Sequence, residues 1–431
     1  MIPKSVKYLL VVDLLERYSF YALRAIAVIF FIDKFKVSDQ DASFLTHAFL
    51  ALCYLFPIIS GYLIDEYFTK YRYGAIITLG YALSFFGMYF VDSLMAHVVV
   101  QLTLAAFSGL FKPVVLSFLT DNTRNLDKKS QENCIDFYYL FVNIGSIFSF
   151  TFHPLIYKYY GYKLSFLIPS IVMFFAFLFF VAGKKSYKIN KPEKGMNVVH
   201  FVIVVLKFKF FQTQYKRLGL YLKNKHSQEY LKLFGEISRS FKALGLMALY
   251  FCVYETQYST FITQGMKMKQ SFLGFTLLAA QIGTLNPIAV MLCIPLFSKL
   301  YSVFKIDLKN RVMIGFGLTF LSLFLLAVVE VLIKIFGFNI TVALQIPSYI
   351  LMAAGEVMVY GSALQLFFGK SSENIKSTMG SLFFFSIFSG NIIDAWFFKF
   401  FKPNIDVYFF LGCSALMIFV SVLFKGLKMK D

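Results

Sequence analysis

The sequence has few charged residues for its length. Of its 431 residues, 15% are Asp, Glu, Lys or Arg, whereas 58% are hydrophobic and 19% are aromatic. Soluble domains carry about 25% charged residues. This shortage of charge excludes an ordinary soluble domain and predicts an integral membrane protein.

Cysteine is also scarce. The five cysteines are odd in number, form no Cys-x-x-Cys pair and lie mostly in apolar segments. This pattern excludes a disulfide framework and is typical of reduced core residues. The sequence likewise lacks a nucleophile–base set, a cluster of metal ligands and a phosphate-binding glycine loop. These absences argue against an enzyme, and we expect no cofactor and no bound metal.

Acidic residues are outnumbered by basic ones. The chain has 23 Asp and Glu against 42 Lys and Arg, a net charge of +19. In a soluble domain this excess would suggest nucleic acid as a partner. Here most of the basic residues lie in the termini and in one alternate set of loops, which is the positive-inside pattern. It predicts cytoplasmic termini, and it favours anionic lipid at the cytoplasmic face over nucleic acid.

Long apolar runs are abundant, and each is near the roughly 20 residues that cross a hydrocarbon core. They predict an all-α membrane protein with twelve spans, arranged as a six-helix bundle over residues 1–182 and another over residues 242–431. Residues 183–241 are a basic cytoplasmic linker in which 197–206 form an amphipathic interfacial helix. This layout is typical of transporters built from two pseudo-symmetric bundles. The predicted spans are 7–32, 42–64, 73–92, 97–120, 135–158, 163–182, 242–264, 271–298, 311–335, 341–368, 376–399 and 406–426.

The first predicted span is interrupted by four charged residues. Their spacings of three, four and seven place them on one helical face. Each would cost about 2.5–3.5 kcal/mol at the centre of a lipid-exposed helix, so they face a cavity or partners. The alternative is that Glu16 and Arg17 form a structural pair that only locks helices together. The four residues are Asp13, Glu16, Arg17 and Arg24.

Other ionisable residues inside spans are few, and their signs differ between the halves. Lys112 joins Arg17 in the first half, whereas Glu255 and Glu356 lie in the second; His47 lies in the second span. A cavity between the halves would then have two poles. It would suit a zwitterion whose carboxylate binds the cations and whose ammonium binds Glu356. A permanent Lys112–Glu356 salt bridge in the empty protein is the alternative.

Three more charged residues are interpreted as structural. Glu330 and Lys334 are one helical turn apart at the end of the ninth span, and we expect them to form an interfacial pair. Asp394 is expected near the outer end of the eleventh span. We assign none of the three a role in binding or proton coupling.

Seven short motifs, each weak by itself, occur in order along the chain. With them the chain resembles the proton-coupled oligopeptide transporter (POT/PTR) family of the major facilitator superfamily over essentially its whole length. They are Asp13-Leu-Leu-Glu-Arg-Tyr-Ser-Phe-Tyr-Ala22, Thr46-His-Ala-Phe-Leu-Ala-Leu-Cys-Tyr-Leu-Phe-Pro57, Gly61-Tyr-Leu-Ile-Asp65 with Lys70-Tyr-Arg72, Phe111-Lys-Pro113, Phe137-Tyr-Tyr-Leu-Phe-Val-Asn-Ile-Gly-Ser146, Tyr254-Glu-Thr-Gln257 with Asn286, and Gly355-Glu-Val357 with Lys376-Ser377 and Gly390-Asn-Ile-Ile393.

The resemblance implies a major facilitator fold and a symporter that takes up di- and tripeptides with protons by alternating access. It also implies a multi-pass protein of the plasma membrane. The peptide carboxylate is expected on Arg17 and Lys112, and the ammonium on Glu356. Hydrogen bonds to the peptide backbone are expected from Tyr21, Tyr54, Tyr139, Asn143 and Asn286.

The resemblance also implies which residues handle protons and which gate the cytoplasmic side. Deprotonated Glu16 neutralises the adjacent Arg17, and protonation would release the guanidinium to bind a carboxylate. Proton coupling is expected from Asp13, Glu16 and Glu255, with His47 assisting near neutral pH. The gating residues are expected to be Asp65, Lys70 and Arg72.

Several positions depart from the family pattern, and they bear on substrate preference. Phe20 stands where the family has tyrosine, and Ala22 where it has glycine. A carrier for nitrate or another small anion is less well supported, because Glu356 would repel an anion. A peptide sensor that does not transport is an alternative of a different class. Dialanine-evoked proton currents would distinguish a transporter from a sensor.

Overall fold

The computed structural model is built almost entirely from helices. It describes residues 2–190, 227–368 and 373–427, and the side chains of residues 65, 227–240 and 367–379 lie outside the description. We define residues 2–190 as the N-terminal half and residues 227–427 as the C-terminal half. The helices of the N-terminal half are α1 (Lys4–Phe35), α2 (Asp39–Glu66), α3 (Lys70–Phe90), α4 (Leu94–Thr123) and α5 (Lys128–Ala182), followed by the 3₁₀ helix Gly183–Ser186.

The C-terminal half has more breaks between its helices. A two-stranded antiparallel hairpin lies between its second and third α-helices, and short 3₁₀ helices lie at Glu255–Tyr258, Ala279–Thr284, Gly337–Asn339 and Val342–Gln345. The strands are β1 (Ser271–Phe272) and β2 (Phe275–Thr276). The helices are α6 (Ser227–Tyr254), α7 (Thr260–Met266), α8 (Leu285–Phe304), α9 (Leu308–Phe336), α10 (Ile346–Phe368), α11 (Glu373–Phe401) and α12 (Val407–Lys425).

Nine helical segments in the described part of the chain are long and apolar enough to cross a membrane. Helix α1 is not among them, because its charged residues interrupt the apolar run. Helix α5 counts once, although it contains two predicted spans that meet at Gly161, where φ is +79°. The predicted class, an all-α multi-pass membrane protein, is confirmed.

Two predicted spans differ from the structure because their backbone is broken. The seventh, 242–264, lies in a helix that begins at Ser227, inside the predicted linker, and it breaks at Ser259 between two helical segments. The eighth, 271–298, begins as the hairpin. Leu273 and Gly274 have φ of 49° and 85°, which makes the tight turn that joins two strands. The interfacial helix predicted at 197–206 lies outside the described residues.

Two helix pairs determine where the charged side chains lie. Helix α1 packs along α5, and α2 packs along α11 in the most extensive contact between the halves. The first pair is close at Gly145, where an added Cβ would lie 2.6 Å from the Leu14 carbonyl and 3.0 Å from the Arg17 Cβ. Glycine at this position therefore lets α5 approach the charged face of α1.

Candidate functional site

The charged face of α1 forms a compact cluster. Glu16 is fully buried, and its Oε2 lies 2.6 Å from Arg17 Nε; Asp13 Oδ1 lies 4.0 Å from the same nitrogen. Asp13 Oδ2 and both Glu16 oxygens have no hydrogen-bond partner of good geometry among the described residues, although Glu16 Oε2 is within ion-pair distance of Arg17. The cluster therefore holds a guanidinium beside two carboxyl groups, each with an oxygen available for a proton.

Lys112 completes a positive pole on the same half. Its Nζ lies 3.8 Å from the Tyr54 ring centroid and 4.5 Å from that of Phe20. The Cζ atoms of Arg17 and Arg24 each lie 5.6 Å from the Phe20 centroid. Cations at such distances are attracted by the ring face. The buried Phe20 ring, which we noted in the sequence only as a departure from the family, thus lies among three cations.

The negative pole is Glu356 on α10. The Asn286 amide donates to Glu356 Oε2 at 3.2 Å and to Gln257 Oε1 at 3.3 Å. The Tyr254 side chain lies beside the same carboxylate. The structure therefore brings together two predicted site residues, Asn286 and Glu356, and adds Gln257 and Tyr254, which we had placed only in a motif.

The two poles do not neutralise each other. Lys112 and Glu356 are both described residues, and no ion pair joins them; the lysine contacts aromatic rings instead. Tyr21 is within electrostatic range of both Arg17 and Glu356. The alternative of a permanent Lys112–Glu356 bridge is therefore absent from this conformation.

Arg24 forms a buried ion pair between the halves. Its guanidinium pairs with the Glu255 carboxylate, and its Cζ lies 3.5 Å from the Tyr258 ring centroid. Arg24 and Glu255 are both 2% exposed. We noted Arg24 in the sequence as a buried charge without giving it a role. Glu255, which we predicted to handle protons, is thus also one side of a contact that fastens α1 to the C-terminal half.

His47 lies where α2 meets α11, and it is fully buried. Its Nδ1 is 3.2 Å from Asn391 Oδ1, and its Nε2 is 2.7 Å from Ser259 Oγ and 3.0 Å from Asp394 Oδ2. We expected Asp394 near the outer end of its span and gave it no role; it is 3% exposed and packed against the histidine. The contact was not foreseen because position along a span does not reveal which helix a side chain faces.

Glu330 also has a different partner from the one expected. Its Oε2 accepts a 2.8 Å hydrogen bond from the Gln264 amide, and its Oε1 lies 3.5 Å from Lys267 Nζ. Glu330 is 3% exposed. The expected interfacial pair with Lys334 is therefore wrong, because the carboxylate turns inward to residues near the end of α7.

Other predicted residues lie apart from the charged poles. Tyr139 is 53% exposed and within electrostatic range of Tyr360, and the Asn143 amide donates to the Tyr139 carbonyl at 2.8 Å. Lys70 Nζ lies 2.6 Å from Asp121 Oδ2, a contact within the N-terminal half. Arg72 is exposed, and the side chain of Asp65, like those of Lys376 and Ser377, lies outside those described.

Contacts between the halves concentrate at one end of the molecule, where α1 ends and α2 begins. Gln40 donates to the Pro403 carbonyl at 3.1 Å, and Gln281 donates to the Thr151 carbonyl at 2.8 Å. The contacts of Arg24 and His47 belong to the same set. Among the described residues, the polar side-chain contacts between the halves lie toward this end. The halves are thus fastened together at this end.

The chain is similar to a family of known proteins. A family model described as the POT family matches residues 71–405. Solute carrier family 15 member 2 of Rattus norvegicus is 26% identical over 358 residues, which cover 76% of this chain and 49% of that protein. Peptide transporter 3 of Caenorhabditis elegans is 27% identical over 334 residues, covering 68% and 45%. The chain spans about half the length of these relatives.

The fold is also found among solved structures. The crystal structure of an auto-inhibited POT family peptide transporter matches with a TM-score of 0.84 and 21% identity, covering 100% of this chain and 98% of that one. At this identity the likeness shows the fold alone. The names of these relatives describe transporters and not enzymes. Because the family model spans well over half of the 431 residues, the chain belongs to the POT family.

Proposed function

We propose that this chain is a proton-coupled symporter that takes up di- and tripeptides by alternating access. The peptide carboxylate binds Arg17 and Lys112, and the peptide ammonium binds Glu356. The observation that carries the proposal is the presence of two poles, one on each half, that do not pair with each other, with Tyr21 within electrostatic range of both. A ligand that carries both charges can bind both poles, whereas a nitrate ion would meet a carboxylate at one of them.

The Glu16–Arg17 contact supplies a way to link protons to peptide. While Glu16 is ionised, its carboxylate occupies the Arg17 guanidinium at 2.6 Å. Protonation of Glu16, with Asp13 as the neighbouring acid, leaves the guanidinium able to bind the peptide carboxylate through two hydrogen bonds. Each proton that crosses 100 mV supplies about 2.3 kcal/mol, which corresponds to roughly fifty-fold accumulation.

The one-sided fastening of the halves supports alternating access. In this proposal residues 1–182 and 242–431 are two six-helix bundles of a major facilitator fold, with twelve spans in total. With both termini in the cytoplasm, the fastened end faces the outside of the plasma membrane, and this conformation faces inward. The basic linker 183–241 lies against anionic lipid. The remaining proposed roles are backbone recognition by Tyr54, Tyr139, Asn143 and Asn286, and gating by Asp65, Lys70 and Arg72.

The direct test is uptake of radiolabelled dialanine and trialanine by proteoliposomes that contain the purified full chain. An imposed pH gradient, acidic outside, should drive both peptides above their external concentration, and a protonophore should abolish the accumulation. Excess nitrate should not compete. Binding of dialanine without uptake or exchange would instead identify a sensor, and uptake of nitrate in place of peptide would identify an anion carrier.

A further inference from the structure

The contact between α2 and α11 contains a buried histidine–carboxylate pair, His47 and Asp394. Their Nε2 and Oδ2 atoms are 3.0 Å apart, and they come from opposite halves of the molecule. The His47 ring also stacks on Phe398, with an interplanar angle of 3° and a centroid separation of 6.0 Å. The pair therefore lies inside the surface that must separate if the fastened end opens.

The hydrogen bonds around His47 determine where its proton can lie. The Asn391 amide nitrogen donates to the Ile387 carbonyl, which leaves the Asn391 oxygen to face His47 Nδ1. Nδ1 must therefore carry a hydrogen, because an amide oxygen only accepts. One further proton can lie on His47 Nε2, with Asp394 ionised, or on Asp394, with His47 neutral. In either form the pair has no net charge.

Among the residues that the structure describes, no further counter-ion pairs with His47 or Asp394. Asp394 is within electrostatic range of Glu255, of Cys252 on α6 and of Cys413 on α12. Glu255 is itself paired with Arg24, which faces the histidine from α1. Without its proton, the pair would bury a net negative charge beside another carboxylate. Burial of an unpaired charge is strongly unfavourable.

We propose that Asp394 is a positioning residue that makes closure of this end of the molecule depend on one proton bound between His47 and Asp394. The proposal rests on the alternating access set out above. When the end closes, one proton is taken up from the solution on that side, and the halves meet as a neutral pair. When the end opens, water reaches both side chains, the proton returns to that solution, and His47 is left neutral beside a hydrated carboxylate.

The test measures closure directly and does not need peptide transport. Gln40→Cys, at a position that contacts the other half, is labelled by an impermeant maleimide in proteoliposomes at external pH between about 8 and 6. Its labelling rate is divided by that of Asp92→Cys, which lies in a loop at the same end and corrects for thiol ionisation. Linkage to one proton predicts up to about a tenfold change in the open-to-closed ratio per pH unit.

Asp394→Asn keeps the size of the side chain and removes its charge. In this background closure, read from the corrected labelling of Gln40→Cys, should no longer be favoured as the pH falls. His47→Gln leaves Asp394 to take up the proton alone, so closure should be weaker at every pH but should keep its pH dependence. Asp41→Asn is the matched control, because it removes a partly exposed α2 carboxylate 3.9 Å from Lys399 at the same contact. The control should keep the pH dependence of the unmodified protein.

Each outcome decides the proposal. Loss of the pH dependence in Asp394→Asn supports the proposal. If that variant does not fold, weaker closure with the pH dependence kept in His47→Gln supports it. Unchanged pH dependence in Asp394→Asn, or loss of it in His47→Gln, overturns the proposal. In Asp394→Asn, a shift of labelling by the same factor at every pH also overturns it, because a purely structural brace would act that way. Failure of the unmodified protein to transport peptide would reject the proposed function without altering this result.

Discussion

The Arg24 guanidinium on α1 and the Glu255 carboxylate that follows α6 form a buried ion pair between two halves of one chain, 231 positions apart in sequence. The Tyr258 ring packs on the guanidinium at 3.5 Å. Water has little access to either charged group, because both side chains are almost completely buried. It is one of the contacts that fasten this end.

Replacing one member of the Arg24–Glu255 pair should destabilise the protein more than replacing both members. Arg24→Ala or Glu255→Ala leaves a buried charge without its partner, and we expect each to lose about 3–5 kcal/mol of stability. Arg24→Ala/Glu255→Ala should lose less than the sum of the two. Thermal unfolding of the purified variants in detergent, analysed as a double-mutant cycle, measures this coupling. Strictly additive losses would show that the two groups do not interact.

Proton coupling should depend on the Glu16 carboxyl group. Glu16→Gln mimics the protonated state and leaves Arg17 permanently available, so that binding no longer requires a proton. We expect proton-driven accumulation of dialanine to be lost, while exchange of internal for external dialanine continues. The control is Glu132→Gln, which changes an exposed glutamate near the start of α5. Accumulation equal to that of the unmodified protein in Glu16→Gln would reject the role.

The two poles should recognise opposite ends of the peptide. Glu356→Gln should reduce the preference for dialanine over N-acetyl-dialanine, and Lys112→Gln should reduce the preference for dialanine over dialanine amide. A hydrogen bond to a charged group contributes about 1.5–3 kcal/mol, so the change should be about 10- to 100-fold. Competition against labelled dialanine measures it. A variant that loses both preferences equally would contradict the assignment of one terminus to each pole.

The Phe20 ring should hold the cations of the positive pole in place. Phe20→Leu keeps an apolar side chain but removes the ring face that Lys112 approaches at 4.5 Å. A cation–π contact is worth about 0.5–2 kcal/mol, so the dialanine KM should rise about 2- to 30-fold. Phe20→Tyr keeps the ring face and is the matched control. An unchanged KM in Phe20→Leu would show that the ring only fills space.

Asp92 forms a pH-dependent contact in the loop between α3 and α4. Hydrogen bonds from the Tyr162 hydroxyl at 2.6 Å and the Lys34 ammonium at 3.2 Å hold the pKa of Asp92 below its ordinary value. Because the pKa of Asp92 is lower in the folded protein than in the unfolded chain, where it is about 3.9, the contact stabilises the fold above about pH 3.9. This stabilisation is lost as the pH falls through the pKa of the folded protein.

Asp92→Asn should therefore reduce the acid dependence of stability below about pH 4, as measured by thermal unfolding across a pH series. It should leave the pH profile of dialanine uptake unchanged between about pH 5 and 8, because Asp92 is ionised throughout that range. A shifted uptake profile in this variant would mean that Asp92 takes part in coupling.

The sequence predicted the class of fold and several residues that the structure brings together in the candidate site. Apolar length predicted helical spans, and the spacing of Asp13, Glu16 and Arg17 predicted one buried face; both are confirmed. These predictions succeed because hydrophobic periodicity and the cost of buried charge are local properties of a segment. The hairpin at 271–276 was missed because apolar content alone does not distinguish a span from a tight turn with positive φ at Leu273 and Gly274.

The missed members of the site were visible in the sequence but could not be interpreted from it. Arg24 was recognised as a charge inside a span, and Asp394 follows directly after the Gly390-Asn-Ile-Ile393 motif. An ionisable residue inside an apolar span is by itself a candidate for function. The sequence does not show which residue such a charge pairs with, because the rotation of each helix about its axis depends on how all the helices pack.

By itself, therefore, the sequence determined that this chain crosses a membrane as helices and that a few charges must be buried in it. Only the tertiary structure decided which charges meet. Arg24 with Glu255, His47 with Asp394, and Asn286 with Glu356 are all pairs of residues distant in sequence. The reason is physical: hydrophobic transfer acts on each segment separately, whereas ion pairs and hydrogen bonds act over a few ångströms and exist only after the helices have packed.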